Sequence, residues 1–148
     1  MTREEQLRAE GWVLCSPVSG SMRPMIRPRR DRAKFVLPEG ELKRLDVALY
    51  RAEDGKLVMH RVLKVLPEGY FCRGDYNREG ETVGREQILG VMEGFFREEK
   101  YIRADARSYR LCTRLWVALH PLLGLYKGLR RAGRRMKRKI TGKSGEHS

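Results

Sequence analysis

Residues 46–66 read DVALYRAEDGKLVMHRVLKVL, and the way this stretch folds decides the rest of the chain. Residues 46–52 are apolar and strand-like, residues 57–66 form a second apolar run, and EDGK (53–56) between them carries the Asp-Gly pair that tight hairpins favour. An antiparallel hairpin is therefore expected. Alternation along its second strand sends Val58, His60 and Val62 to one face and Met59, Arg61 and Leu63 to the other.

The same rhythm continues outward. WVLCSPV (12–18) reads as a strand running into a turn, and RPRRDRAKFVL (27–37) becomes a strand toward its end. PEGY (67–70) is a turn, YFCRG (70–74) a strand, DYNREGETVG (75–84) a polar loop, and REQILGVMEGFFRE (85–98) a short turn plus a strand. Gly90 and Gly94 argue against a helix in that last stretch. Short strands with turns every 8–12 residues predict a mainly β, antiparallel, barrel-like or sandwich body over residues 13–100. Before it, Thr2 followed by REEQLRAE and then Gly11 predicts a capped short helix within residues 1–12.

From residue 101 to 148 the spacing becomes helical. Leu111, Leu115, Trp116, Leu119, Leu122, Leu123 and Tyr126 can form one apolar stripe, and Pro121 predicts a break or kink in it, hence C-terminal helices. Residues 97–148 hold 15 Lys and Arg against 4 Asp and Glu, which leaves 17 against 15 for residues 1–96. The net charge of +13 is thus concentrated in the last third, with eight basic residues and no acid between 127 and 139. Such a segment calls for an anionic partner. As an interfacial helix over residues 111–139 it would lie on an anionic membrane surface; it can equally pack its stripe on the body and leave a solvated basic tail. Nucleic acid is the weaker candidate, because no aromatic-interleaved RNA motif accompanies the basic run.

Three widely spaced cysteines, Cys15, Cys72 and Cys112, show no CxxC pairing, so buried free thiols are expected, with no metal site and no cofactor. No apolar run reaches 18 residues and the N-terminus has no apolar signal-peptide core, so the expected location is cytoplasmic, peripheral on the inner face of the cell membrane if the helix docks there.

The candidate for chemistry is SGSMRP (19–24). A serine hydroxyl needs a base, and of the three histidines only His60 lies on a predicted strand; His120 is in the C-terminal stripe and His147 in the tail. An orienting carboxylate completes such a site. Asp75 in RGDYN is the first candidate, with Glu81 and Asp46 as competitors. Taken one at a time, these pieces also fit a turn, a half-buried histidine and a Gly-Asp loop.

As an ordered set, SGSMRP, DVALYR (46–51), LVMHRVLKV (57–65), RGDYN (73–77) and EQILGVM (86–92) resemble the signal peptidase I and LexA-type serine peptidases, across residues 13–96. The resemblance is nearest to the histidine-containing endoplasmic-reticulum and archaeal signal peptidases. It implies a coiled β-barrel, Ser21 as nucleophile, Ser19 as oxyanion support and His60 where other members carry a general-base lysine. Asp75 matches the acid of a GDNN-like box, with Tyr76 in place of one Asn and Asn77 keeping the other. The implied activity is hydrolysis of a peptide bond in a peptide or protein precursor. The alternative is a catalytically silent binding or regulatory protein of the same fold, working through its basic helix on membrane or nucleic acid. The family's N-terminal membrane anchor and the DNA-binding helix-turn-helix are both absent from the sequence.

Overall fold

The computed structural model of the chain describes residues 1–143, so His147 lies outside the described residues. The chain divides into two compact units, Met1–Arg114 and Leu115–Ser148.

The first unit begins with α1 (Arg3–Glu10), whose Thr2 cap and Glu5 close a capping box, and whose Gly11 stop is left-handed at φ 80°. Eight strands follow: β1 (Trp12–Cys15), β2 (Asp31–Val36), β3 (Val47–Arg51), β4 (Leu57–Leu66), β5 (Gly69–Arg73), β6 (Glu81–Val83), β7 (Ile88–Arg97) and β8 (Lys100–Arg103). All pairings are antiparallel, in the order β1-β2-β7-β3-β4-β5-β6. The hairpin of β3 and β4 forms as the sequence predicts, with Ala48 opposite His60 and Tyr50 opposite Val58.

The sheet is antiparallel but does not close, because β1 and β6 end it without pairing to each other. The expected barrel is corrected to an open sheet. One edge of β7 pairs with β2 at residues 91–97, while its other edge changes partner, from β3 at residues 88–91 to β8 at residues 94–97. Bulges at Lys34/Phe35, Leu49/Tyr50 and Val62/Lys64 bend the strands further.

β8 is a second departure, since the helical segment is expected to begin at residue 101 and residues 101–103 are strand instead. Gly94 permits this hairpin: a Cβ there would lie 2.6 Å from the Ile102 carbonyl oxygen. The C-terminal segment is then one helix, α2 (Arg107–Lys143), which continues through Pro121. It is not the pair of helices that the proline suggested.

Two cores form, one on each face of the sheet. Ala48, Tyr50, Val62, Tyr70, Cys72 and Val83 pack on one face. On the other, Leu49, Phe35 and Phe95 pack with Met22, Leu7 of α1 and Tyr109 of the first turn of α2. The Phe95 and Tyr109 rings meet at 5.4 Å and 58°. Cys15 and Cys72 are buried free thiols as expected, whereas Cys112 is exposed. Replacing Phe95 with Ala removes a wholly buried ring, and urea denaturation should show a loss of about 3–5 kcal/mol.

Candidate active site

The SGSMRP turn is fixed from below. Met22 and Ile26 are fully buried, and the 3₁₀ turn Gly20–Met22 is closed by Arg23 N–H donating to the Gly20 carbonyl at 3.1 Å. Pinning the apolar residue inward turns both serines toward solvent. Ser19 Oγ donates to Ser21 Oγ at 3.1 Å. Ser21 is thus an acceptor in that bond, and its own proton stays available to a base.

Ser19, Ser21 and His60 line one cavity of about 810 Å³, with Cys15, Val18, Leu49, Leu57 and Met59 among its apolar walls. No direct hydrogen bond joins Ser21 to His60 among the described residues. Cys15 is a poor competitor as nucleophile, because burial pushes its thiol pKa up despite the opposing Arg3.

His60 is held from the other side. Its Nδ1 lies 3.1 Å from the Tyr50 hydroxyl, and that hydroxyl donates its single proton to Glu81 Oε1. The Tyr50 oxygen must therefore accept from Nδ1–H, which leaves Nε2 as the bare, basic nitrogen. Burial, and then Glu81, push the Tyr50 phenol far above its usual range, so it remains a donor. Burial holds the His60 pKa below the usual histidine value of 6.5, against the pull of Glu81 and Asp75. At neutral pH the imidazole is uncharged.

Asp75 is placed elsewhere. Its carboxylate accepts from Arg61 Nε at 2.7 Å and Nη2 at 2.8 Å, and both side chains are almost wholly buried. The reason is parity: Arg61 follows His60 on β4 and points to the opposite face, so an acid bound to Arg61 does not hydrogen-bond His60. Among the candidate acids, the carboxylate linked to His60 is Glu81, reached through Tyr50. Asp46 stays in its own loop, accepting from Lys43 N–H at 2.8 Å.

The RGDYN loop nevertheless touches the serine turn. Tyr76 N–H donates to the Ser21 carbonyl at 2.8 Å. Gly74 passes so close that a Cβ would lie 2.6 Å from the Ser21 carbonyl oxygen and 3.0 Å from Ser21 Cβ. Asp75, between them in sequence, anchors this clamp to Arg61. Two residues of this arrangement, Tyr50 and Arg61, are not among the sequence candidates. The signal for Tyr50 is positional: it lies two residues along β3 from Ala48, on the same face, and Ala48 is opposite His60.

Residues 57–60 of β4 pair with β3 on one edge only, because β5 begins its pairing at Arg61. Their other edge has no strand partner, and residues 57–60 line the cavity. Among the described residues, no group of three or more His, Cys, Asp or Glu could hold a metal ion. No family model matches the chain, and no curated protein matches it.

Two outcomes follow. Asp75→Ala strands a buried guanidinium, and chemical denaturation should show a loss of about 3–5 kcal/mol. Glu81→Gln removes the charge that raises the His60 pKa, so an NMR titration of the imidazole should move further down from the wild-type value.

Proposed function

We propose that the chain is a serine peptidase resembling the histidine-containing signal peptidases, and that it cleaves a peptide or protein precursor. The observation that carries this is the pairing, in one cavity, of a serine whose proton is uncommitted with a histidine whose Nδ1 is already bound. His60 Nε2 takes the Ser21 proton as Oγ attacks the scissile carbonyl carbon. The resulting oxyanion is met by Ser19 and by backbone amides of the turn, where one such donor is worth about 2.7–4 kcal/mol. The C–N bond then breaks, and the imidazolium returns its proton to the leaving amine. Water hydrolyses the Ser21 ester by the same route in reverse. Glu81, acting through Tyr50, offsets the imidazolium charge, and Asp75 acts as a positioning residue through Arg61 and the Gly74–Tyr76 clamp.

The substrate binds as an extended strand. The unpaired edge of residues 57–60 offers backbone groups for strand addition, and the apolar walls of the cavity favour apolar side chains near the scissile bond. The order of the SGSMRP, MHRV and RGDYN boxes along an antiparallel sheet supports a signal-peptidase-like frame in open form.

A second reading, a silent binding protein of the same fold, is favoured by one observation: no hydrogen bond joins Ser21 Oγ to His60. Labelling with a serine-directed fluorophosphonate separates the two. A peptidase is labelled at Ser21, and Ser21→Ala and His60→Ala each lose cleavage of a peptide library while keeping the wild-type melting curve. Ser19→Ala should lower kcat about 10²-fold with the fold intact. The acid limb of kcat/KM should fall below the usual histidine range, since only neutral His60 accepts the proton. Absence of labelling together with full function in Ser21→Ala would establish the silent protein instead.

A further inference from the structure

α2 carries two stripes with different fates. Tyr109, Thr113 and His120 are buried, and Trp116 meets His120 edge-on at 6.1 Å. A second stripe, Leu115, Leu119, Leu122, Tyr126, Leu129 and Met136, recurs at intervals of three, four and seven and remains exposed: Leu115 at 53%, Leu122 at 60%, Leu129 at 65%. Leu111 extends it at the N-terminal end, so it runs for roughly 38 Å of helix at 1.5 Å per residue. The flanking and opposite faces carry Lys127, Arg130, Arg131, Arg134, Arg135, Lys137, Arg138 and Lys139. Residues 107–143 contain no Asp or Glu. No described helix is long and apolar enough to cross a membrane.

We infer that this face of α2 docks in the plane of an anionic lipid surface, with the leucines in the acyl boundary and the cations among the headgroups. Charge decides against the other occupants. A second copy would need acidic residues flanking its apolar seam to pair with these cations, and α2 supplies none in either helix orientation. Nucleic acid would satisfy the cations but leave the large apolar side chains in water. An anionic interface satisfies both at once. The docking stands apart from the chemistry proposed at Ser21.

The test is cosedimentation of the full chain with vesicles of phosphatidylcholine alone, or of phosphatidylcholine with phosphatidylserine, at low and high salt. Binding is expected to the anionic vesicles only and to weaken as salt rises. Two variants are compared: Leu115→Gln with Leu122→Gln and Leu129→Gln, and Arg130→Gln with Arg131→Gln, Arg134→Gln and Arg135→Gln. Each should weaken binding about tenfold or more. All of the substituted side chains are exposed, so the melting curve of the first unit should not move, and the wild-type lipid and salt dependence is read without any variant. Failure to bind anionic vesicles at low salt overturns the inference. So does equal binding to neutral vesicles, or a leucine variant that still binds both vesicles and duplex DNA like wild type. Leucine-dependent dimers in lipid-free sedimentation velocity would assign the face to a second copy.

Discussion

One buried guanidinium ties the first unit together. Arg61 donates to both oxygens of Asp75, to the Leu45 carbonyl at 2.8 Å and to the Tyr109 hydroxyl at 3.0 Å. A single side chain on β4 thus reaches the loop after β5, the loop before β3 and the first turns of α2. Leu45 is held at φ 78°, a left-handed conformation that costs a non-glycine residue about 1–3 kcal/mol, and the Arg61 bond to its carbonyl helps fix it there. Such a pair contributes little net stability compared with an apolar replacement, but breaking it is expensive. Its value lies in geometry: a fork with fixed directions holds three irregular segments in register where a greasy contact would let them slide.

The same residue explains how the candidate site divides its labour. His60 and Arg61 are consecutive, so the pleat sends one to the Tyr50–Glu81 side and the other to the Asp75 side. Two carboxylates then serve one site without competing. Glu81 steadies the proposed base through a phenol, while Asp75 steadies the segment that grips the proposed nucleophile. The β4 backbone joins the two sides, held by β3 over residues 57–61 and by β5 over residues 61–66.

The hairpin of residues 46–66, the capped first helix and the final long strand were legible because apolar period and turn chemistry agree there. β8 was not: Lys100 and Arg103 are exposed, Tyr101 and Ile102 half-buried, and so short a run carries no alternation strong enough to outweigh the helical pattern that follows. Pro121 is a signal for a break or kink, yet one missing N–H does not stop a helix that extends on both sides of it. In the site, Ser19, Ser21 and His60 were readable, and the structure brings them to one cavity. The partner of Asp75 was legible in principle. Alternation already placed Arg61 on a face with Met59, where an arginine must find an acid, and Asp75 was near at hand. The link from Glu81 to His60 was harder, because it runs through a side chain on β3 and an acid on β6, two strands whose sequence separation says nothing of their shared face.

The acid-free C-terminal half of α2 has a consequence for its own folding. Residues 127 and 131, 130 and 134, 131 and 135, 134 and 138, and 135 and 139 are like charges one turn apart. Each such pair opposes the helix by roughly 0.2–0.5 kcal/mol at low ionic strength. Dissolved salt therefore acts on this segment in two directions. It shields the repulsion and strengthens the free helix, yet it also shields the attraction that would hold that helix on an anionic bilayer. An anionic surface does what salt cannot: it neutralises the cations and orders the helix in a single event.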